Sequence, residues 1–109
     1  HLFDKTKFAS MKKDAVLINI GRGTIVNEND LIEALREKKI AGACLDVFEK
    51  EPLPADSPLW DMENVLITPH NSGLSQKYMD RAVALFCKNL KAYLAEETLP
   101  NEVNKAIGY

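Results

Sequence analysis

Three residues able to bind an anion and move a proton follow three separate apolar runs. Arg22 comes after Val16-Leu17-Ile18-Asn19-Ile20, Glu51 lies downstream of Ala43-Cys44-Leu45-Asp46-Val47, and His70 follows Val65-Leu66-Ile67-Thr68-Pro69. A guanidinium offers a carboxylate a planar fork of two charge-assisted hydrogen bonds, each worth roughly 1.5–3 kcal/mol. An imidazole exchanges protons near neutral pH, and a carboxylate beside it orients the ring and favours its charged form. If the three runs are parallel strands, their carboxyl ends bring these groups to one crevice, where open α/β sheets bind ligands. The pattern is that of an active site. Glu49 is the neighbouring alternative to Glu51, and His70 is the only interior histidine, His1 being the other.

The elements that must position these residues follow from hydrophobic period. Asp4 to Lys13 fits a short helix with Phe8 and Met11 on one side, and Ala15 to Ile20 reads as a strand buried on both faces. A turn at Gly21-Arg22-Gly23 leads to a helix capped by Asn27, with Asp30 at N3, an apolar face of Leu31, Ile32 and Leu35, and an end near Lys39. Ile40 to Val47 is the second strand. Glu49 to Asp61, with Pro52, Pro54 and Pro58, is too irregular for helix or strand, and Val65 to Thr68 is the third strand. From Ser75, the positions Met79, Ala82, Val83, Phe86, Leu90, Tyr93 and Leu94 recur at helical spacing and predict a long helix whose stripe is core. Trp60 is expected to pack its loop against the sheet. Parallel strands alternating with helices make an α/β fold, half of a doubly wound sheet.

Composition narrows the function classes. The 109 residues are 46% hydrophobic and 28% charged with a net charge of −2, so neither nucleic acid nor an anionic membrane is favoured as a partner. Basic residues interleave with acidic ones, as in Glu33 to Lys39, and form no basic stripe. No apolar run approaches the ~20 residues of a membrane span, and no signal peptide is visible, so a cytoplasmic address is expected. Cys44 and Cys87 lack metal-ligand spacing and are expected to be buried reduced thiols; no metal site is predicted. His1-Leu2-Phe3 opens without methionine and the first helix begins almost at once, so the chain reads as part of something longer.

Gly21-Arg22-Gly23 follows a strand and precedes a helix, as a phosphate loop would. Val26 stands where a third glycine or alanine is needed for close helix packing, so the dinucleotide fingerprint is rejected here and any pyrophosphate site is expected upstream.

The succession Asn19-Ile20-Gly21-Arg22-Gly23 with Val26, Leu31 and Ala34-Leu35, Gly42-Ala43 with Leu45-Asp46-Val47-Phe48, Glu51-Pro52-Leu53, Ser57-Pro58-Leu59-Trp60, and Asn64-Val65 with Thr68-Pro69-His70 resembles the D-isomer-specific 2-hydroxyacid dehydrogenases. The similarity runs in order from about Phe8 to Gly73 and more loosely beyond. It implies the second half of a Rossmann-type NAD-binding domain, three parallel strands with helices but without the first βαβ unit, over 1–98. A C-terminal strap toward a substrate domain would occupy 99–109.

The resemblance further implies an NAD(P)-dependent oxidoreductase that interconverts 2-oxo acids and D-2-hydroxy acids by hydride transfer, with NAD as the expected cofactor and NADP as the alternative. Arg22 matches the substrate-carboxylate arginine, Glu51 the carboxylate partner and His70 the acid/base. Asp46 matches a residue contacting the nicotinamide carboxamide, and Ile20, Gly21, Arg22, His70, Ser72 and Gly73 match cofactor-contacting positions. Glutamate at 51 argues against the formate-specific branch, which carries glutamine there. Asn27 and Asn71-Ser72-Gly73-Leu74 depart from the commoner family residues, the second in a cofactor-facing loop. A homodimer is implied for the full-length protein, and the 109 residues alone are expected to be inactive. The alternative is a corepressor-like scaffold of the same family, gated by cofactor and without a primary catalytic role.

Overall fold

The computed structural model describes residues 1–108, so the expected strap at 99–109 ends on a residue, Tyr109, outside the described ones. Two compact units are present, one from His1 to Ser72 and one beginning at Gly73. The first unit holds helix α1 (Lys5–Ser10), strand β1 (Val16–Asn19), helix α2 (Glu28–Arg36), strand β2 (Gly42–Leu45) and strand β3 (Val65–Ile67). The second holds helix α3 (Tyr78–Leu94).

The three strands form one parallel sheet in the order β1-β2-β3, with Asn19 opposite Leu45 and Leu45 opposite Ile67. Equal register at these last pairs means that the three chains leave the sheet side by side. The α/β half-sheet expected from the sequence is therefore the observed architecture.

Local chemistry fixes the helix ends. The Asp4 carboxylate accepts from the backbone N–H groups of Thr6 and Lys7, both at 3.0 Å, and so caps α1. Met11 is already extended, which stops α1 short of the expected Lys13. The Asn27 side chain accepts from the Asp30 N–H at 3.1 Å and starts α2 where the sequence places it. That helix ends at Arg36 because Lys38 turns left-handed (φ +54°), letting Lys39 N–H reach the Ala34 carbonyl at 2.9 Å and Lys38 N–H the Leu35 carbonyl at 3.2 Å. These paired bonds are a Schellman closure, with lysine where glycine is usual.

The core of the first unit joins Phe8 from α1, Leu31, Ile32, Ala34 and Leu35 from α2, and Leu17, Ala43 and Leu45 from the sheet. Both helices thus cover one sheet face. The other face remains open, with Val16, Ile18 and Leu66 exposed, and β1 alternates exposed and buried instead of being buried on both sides. The apolar stripe of α3, expected as core, is likewise exposed at Met79, Val83, Phe86 and Leu90. Cys87 on that helix is exposed and Cys44 is partly buried, which corrects the expectation of two buried thiols. Among the described residues no helix is long and apolar enough to cross a membrane.

Gly23 shows why the turn after β1 must be glycine. A Cβ there would lie 1.9 Å from the carbonyl carbon and oxygen of Phe48 and 2.5 Å from the Glu49 nitrogen, so two backbones touch where any side chain would intrude. Gly23→Ala is expected to destabilise the fold by roughly 1–3 kcal/mol, read as an earlier urea midpoint; an unchanged midpoint would show that the contact gives way freely. The open sheet face also has a consequence in solution, because contiguous apolar surface beside an unpaired strand edge drives association. The 109-residue chain is expected to sediment well above its 12.2 kDa monomer mass, and a monodisperse monomer would contradict this.

Candidate active site

Each strand delivers one part of the site. Past β1, the buried Asn19 side chain grips the turn from both sides: its amide donates to the Arg22 carbonyl at 3.1 Å, and its oxygen accepts from the Gly21 N–H at 3.2 Å. Arg22 is thereby held at the surface, one guanidinium nitrogen 2.7 Å from the Gly21 carbonyl. Ile20, exposed, and Gly21 lie in the same turn. The signal in the sequence for this clamp is a polar asparagine at the end of an apolar strand.

Past β2, the chain turns at Phe48 into the loop that carries Glu51. The Glu51 Oε1 atom accepts from the Phe48 N–H at 3.0 Å, and its Oε2 atom lies 2.7 Å from Nδ1 of His70. Its carboxyl is held below the ordinary glutamate value by the His70 ring first, then by the Phe48 N–H, with the Arg22 charge adding to both against the cost of burial. An ionised carboxylate can only accept, so Nδ1 carries a ring proton in this pair, and Nε2 takes no part in it. Glu49, the rival carboxylate, is engaged elsewhere: it accepts from the Glu28 N–H at 3.0 Å and pairs with His1 Nε2 at 2.9 Å.

Past β3, His70 adopts a left-handed backbone (φ +50°), uncommon for a residue with a side chain though less so for histidine. A cleft of about 640 Å³ opens beside the pair, lined by Phe48, Leu53, Trp60 and Ile67 together with Glu51 and His70. Trp60 is half exposed on this cleft and donates its indole N–H to the Pro54 carbonyl at 2.9 Å. It braces its own loop, a more limited role than the packing expected of it.

Asp46, at the end of β2, is only 2% exposed. Its Oδ1 accepts from the Thr68 hydroxyl at 2.5 Å and the Asn71 N–H at 2.9 Å, and its Oδ2 accepts from the Ser72 N–H at 2.9 Å. Bonds from the Ser72 side chain and the Thr68 hydroxyl, followed by the two backbone donors, hold this carboxyl far below the usual carboxylate range despite its burial. The bonds of Thr68 and Asn71 to Asp46 are not visible in the sequence, because nothing in spacing shows that a residue 22 positions upstream accepts from the threonine. Gly73 opens the second unit, with no atom within 4 Å of where its Cβ would stand. No group of three or more metal-binding side chains is present among the described residues.

Comparison with known proteins gives this geometry a family. Residues 1–72 match the family model described as D-isomer specific 2-hydroxyacid dehydrogenase, NAD binding domain. Over 107 residues the chain is 46% identical to the glyoxylate/hydroxypyruvate reductase B of Pectobacterium carotovorum and 40% identical to the glyoxylate reductase of Korarchaeum cryptofilum. These alignments take in 98% of this chain but 33% and 32% of those proteins, so the chain spans about a third of their length. The crystal structure of a D-isomer specific 2-hydroxyacid dehydrogenase from Xanthobacter autotrophicus, in complex with NADPH and MES, superposes with a TM-score of 0.89 at 42% identity, covering 99% of this chain and 44% of that one. The chain belongs to the D-isomer specific 2-hydroxyacid dehydrogenase family, and residues 1–72 are the part of it that matches the family's NAD-binding domain.

Proposed function

We propose that the natural gene product is an NAD(P)-dependent reductase of small 2-oxo acids, forming D-2-hydroxy acids, and that Arg22, Glu51 and His70 are its catalytic residues. The observation that carries this reading is the 2.7 Å pair between Glu51 and His70, with the Arg22 charge close enough to act on it. In this assignment residues 1–98 form the second half of the cofactor domain and 99–109 a strap toward a substrate domain.

The residues fit the nicotinamide end of such a cofactor. Ile20 is exposed at a strand's carboxyl end, and Asp46, at the end of the neighbouring strand, keeps an ionised carboxylate that can only accept, the role a carboxamide N–H requires. Ser72 and Gly73 belong to the same assignment. The pyrophosphate end has no cradle here, since Gly23 serves the contact with Phe48. When bound, the nicotinamide supplies the hydride.

Arg22 holds the substrate carboxylate in two parallel bonds and turns the neighbouring carbonyl toward the histidine. His70 then gives the Nε2 proton to the carbonyl oxygen as negative charge grows there, while Glu51 keeps Nδ1 protonated and the ring in place. In the oxidation direction Nε2 takes the hydroxyl proton back. A homodimer, with a small 2-oxo or 2-hydroxy acid as substrate and neither nucleic acid nor membrane as partner, completes the proposal.

Loss of NADH or NADPH absorbance with glyoxylate, pyruvate and hydroxypyruvate tests it. His70→Ala is expected to lower kcat by ~10²- to 10⁴-fold, and Arg22→Ala to raise KM and lower kcat together; turnover unaffected by both would refute the assignment. Cofactor binding without any turnover in the wild type would instead favour a scaffold. The pH dependence has a definite sign. Because the Glu51 carboxyl is depressed from its ordinary value of 4.5, its ionised contribution is complete above that value and is lost as pH falls through the lowered one. Wild-type kcat/KM is therefore expected to retain the Glu51 contribution down to about pH 4.5, with Glu51→Gln lower throughout that range; equal profiles would show the pair to be idle.

A further inference from the structure

His70 sits in a backbone conformation that its side chain disfavours, and the structure shows what holds it there. The residues on both sides of it converge on one carboxylate. Thr68, two residues before, donates its hydroxyl to Asp46 Oδ1 at 2.5 Å; Asn71 and Ser72, after it, donate their N–H groups to Oδ1 and Oδ2, each at 2.9 Å. The acceptor is buried, so water competes little for these bonds, and its charge makes each of them stronger than a neutral one.

The His70 N–H itself donates to the Thr68 carbonyl at 3.1 Å, which closes the tight turn through Pro69. The Thr68 N–H is in turn held by the Leu45 carbonyl at 2.9 Å. Thr68 is thus fixed to β2 by its backbone, while its hydroxyl is the one side-chain donor reaching Asp46 from the strand side of His70. Without that hydroxyl, the loop remains fastened to Asp46 from the far side alone.

We propose that Thr68 is a positioning residue, whose hydroxyl, through the buried Asp46 carboxylate, holds His70 in its left-handed conformation and so keeps Nδ1 on Glu51. The role is separate from any contact of Asp46 with a cofactor. It acts through backbone geometry, and it is present without ligand.

The proposal deepens the functional reading above, and its test separates the two. In the natural gene product, free of cofactor, a hydrogen-bonded His70 Nδ1–H gives a downfield proton resonance. That resonance is expected in the wild type and in Thr68→Ser, which keeps the hydroxyl, and is expected to be absent in Thr68→Val, which keeps the shape. Kinetically, Thr68→Val is expected to lose about tenfold to a hundredfold in kcat, with KM for glyoxylate within about twofold because Arg22 is untouched. Thr68→Ser is expected to stay within about twofold of wild type. Should valine not be accommodated, Thr68→Ala removes the same hydroxyl with less bulk and is read in the same way. A resonance that persists in Thr68→Val or Thr68→Ala overturns the proposal, and so does a Thr68→Ser enzyme as impaired as the valine variant. If the resonance follows the hydroxyl but the wild type reduces no 2-oxo acid, positioning stands and the proposed function falls.

Discussion

The arrangement at the strand ends depends on the backbone contact between Gly23 and the Phe48–Glu49 peptide. Parallel register brings the three chains out of the sheet together, but it does not decide how closely their turns approach. That is decided where a missing Cβ lets the turn after β1 lie directly against the turn after β2. Arg22 and Glu51 sit one and three residues from this contact, and the Arg22 charge acts on the Glu51 carboxyl in consequence. Asn19 adds the second restraint, gripping the arginine turn from inside the sheet with a donor and an acceptor on the same side chain. A glycine that resembles part of a phosphate loop therefore has a packing role.

The site divides its carboxylates by environment. Asp46 is buried, ionised and committed to donors of its own chain, which makes it a fixed point for the loop after β3. Glu51 is exposed and pairs with the His70 ring, the group proposed above to move the proton, so the two carboxylates have separate partners. Keeping these tasks apart matters physically. A carboxylate that both anchored the loop and charged the histidine would let the loop move whenever the ring titrated. Glu49, two residues from Glu51, serves a third purpose by tying the start of α2 to the loop after β2.

Much of this was legible in the residues. Three parallel strands, with Arg22, Glu51 and His70 past their carboxyl ends, follow from apolar runs of strand length and a capped helix, because period and capping are local properties. The faces were not legible. Val16, Ile18 and Leu66 have the composition of buried strand residues yet are exposed, since burial depends on what lies across the sheet and a strand's sequence says nothing of that. The same holds for the stripe on α3. The bond that Thr68 makes is illegible for a related reason: it goes to Asp46, a partner brought near by sheet pairing over 22 residues. Lys38 shows the limit of local signals too, closing α2 in a left-handed turn where a glycine would have announced the end.

The most direct test of the central claim is a crystal structure of the natural gene product with oxamate, a 2-oxo acid mimic, and its nicotinamide cofactor. The expected result is the oxamate carboxylate in two hydrogen bonds with the Arg22 guanidinium and its carbonyl oxygen within hydrogen-bond reach of His70 Nε2. Oxamate bound away from both residues, or with its carboxylate on His70 and nothing on Arg22, would contradict the account.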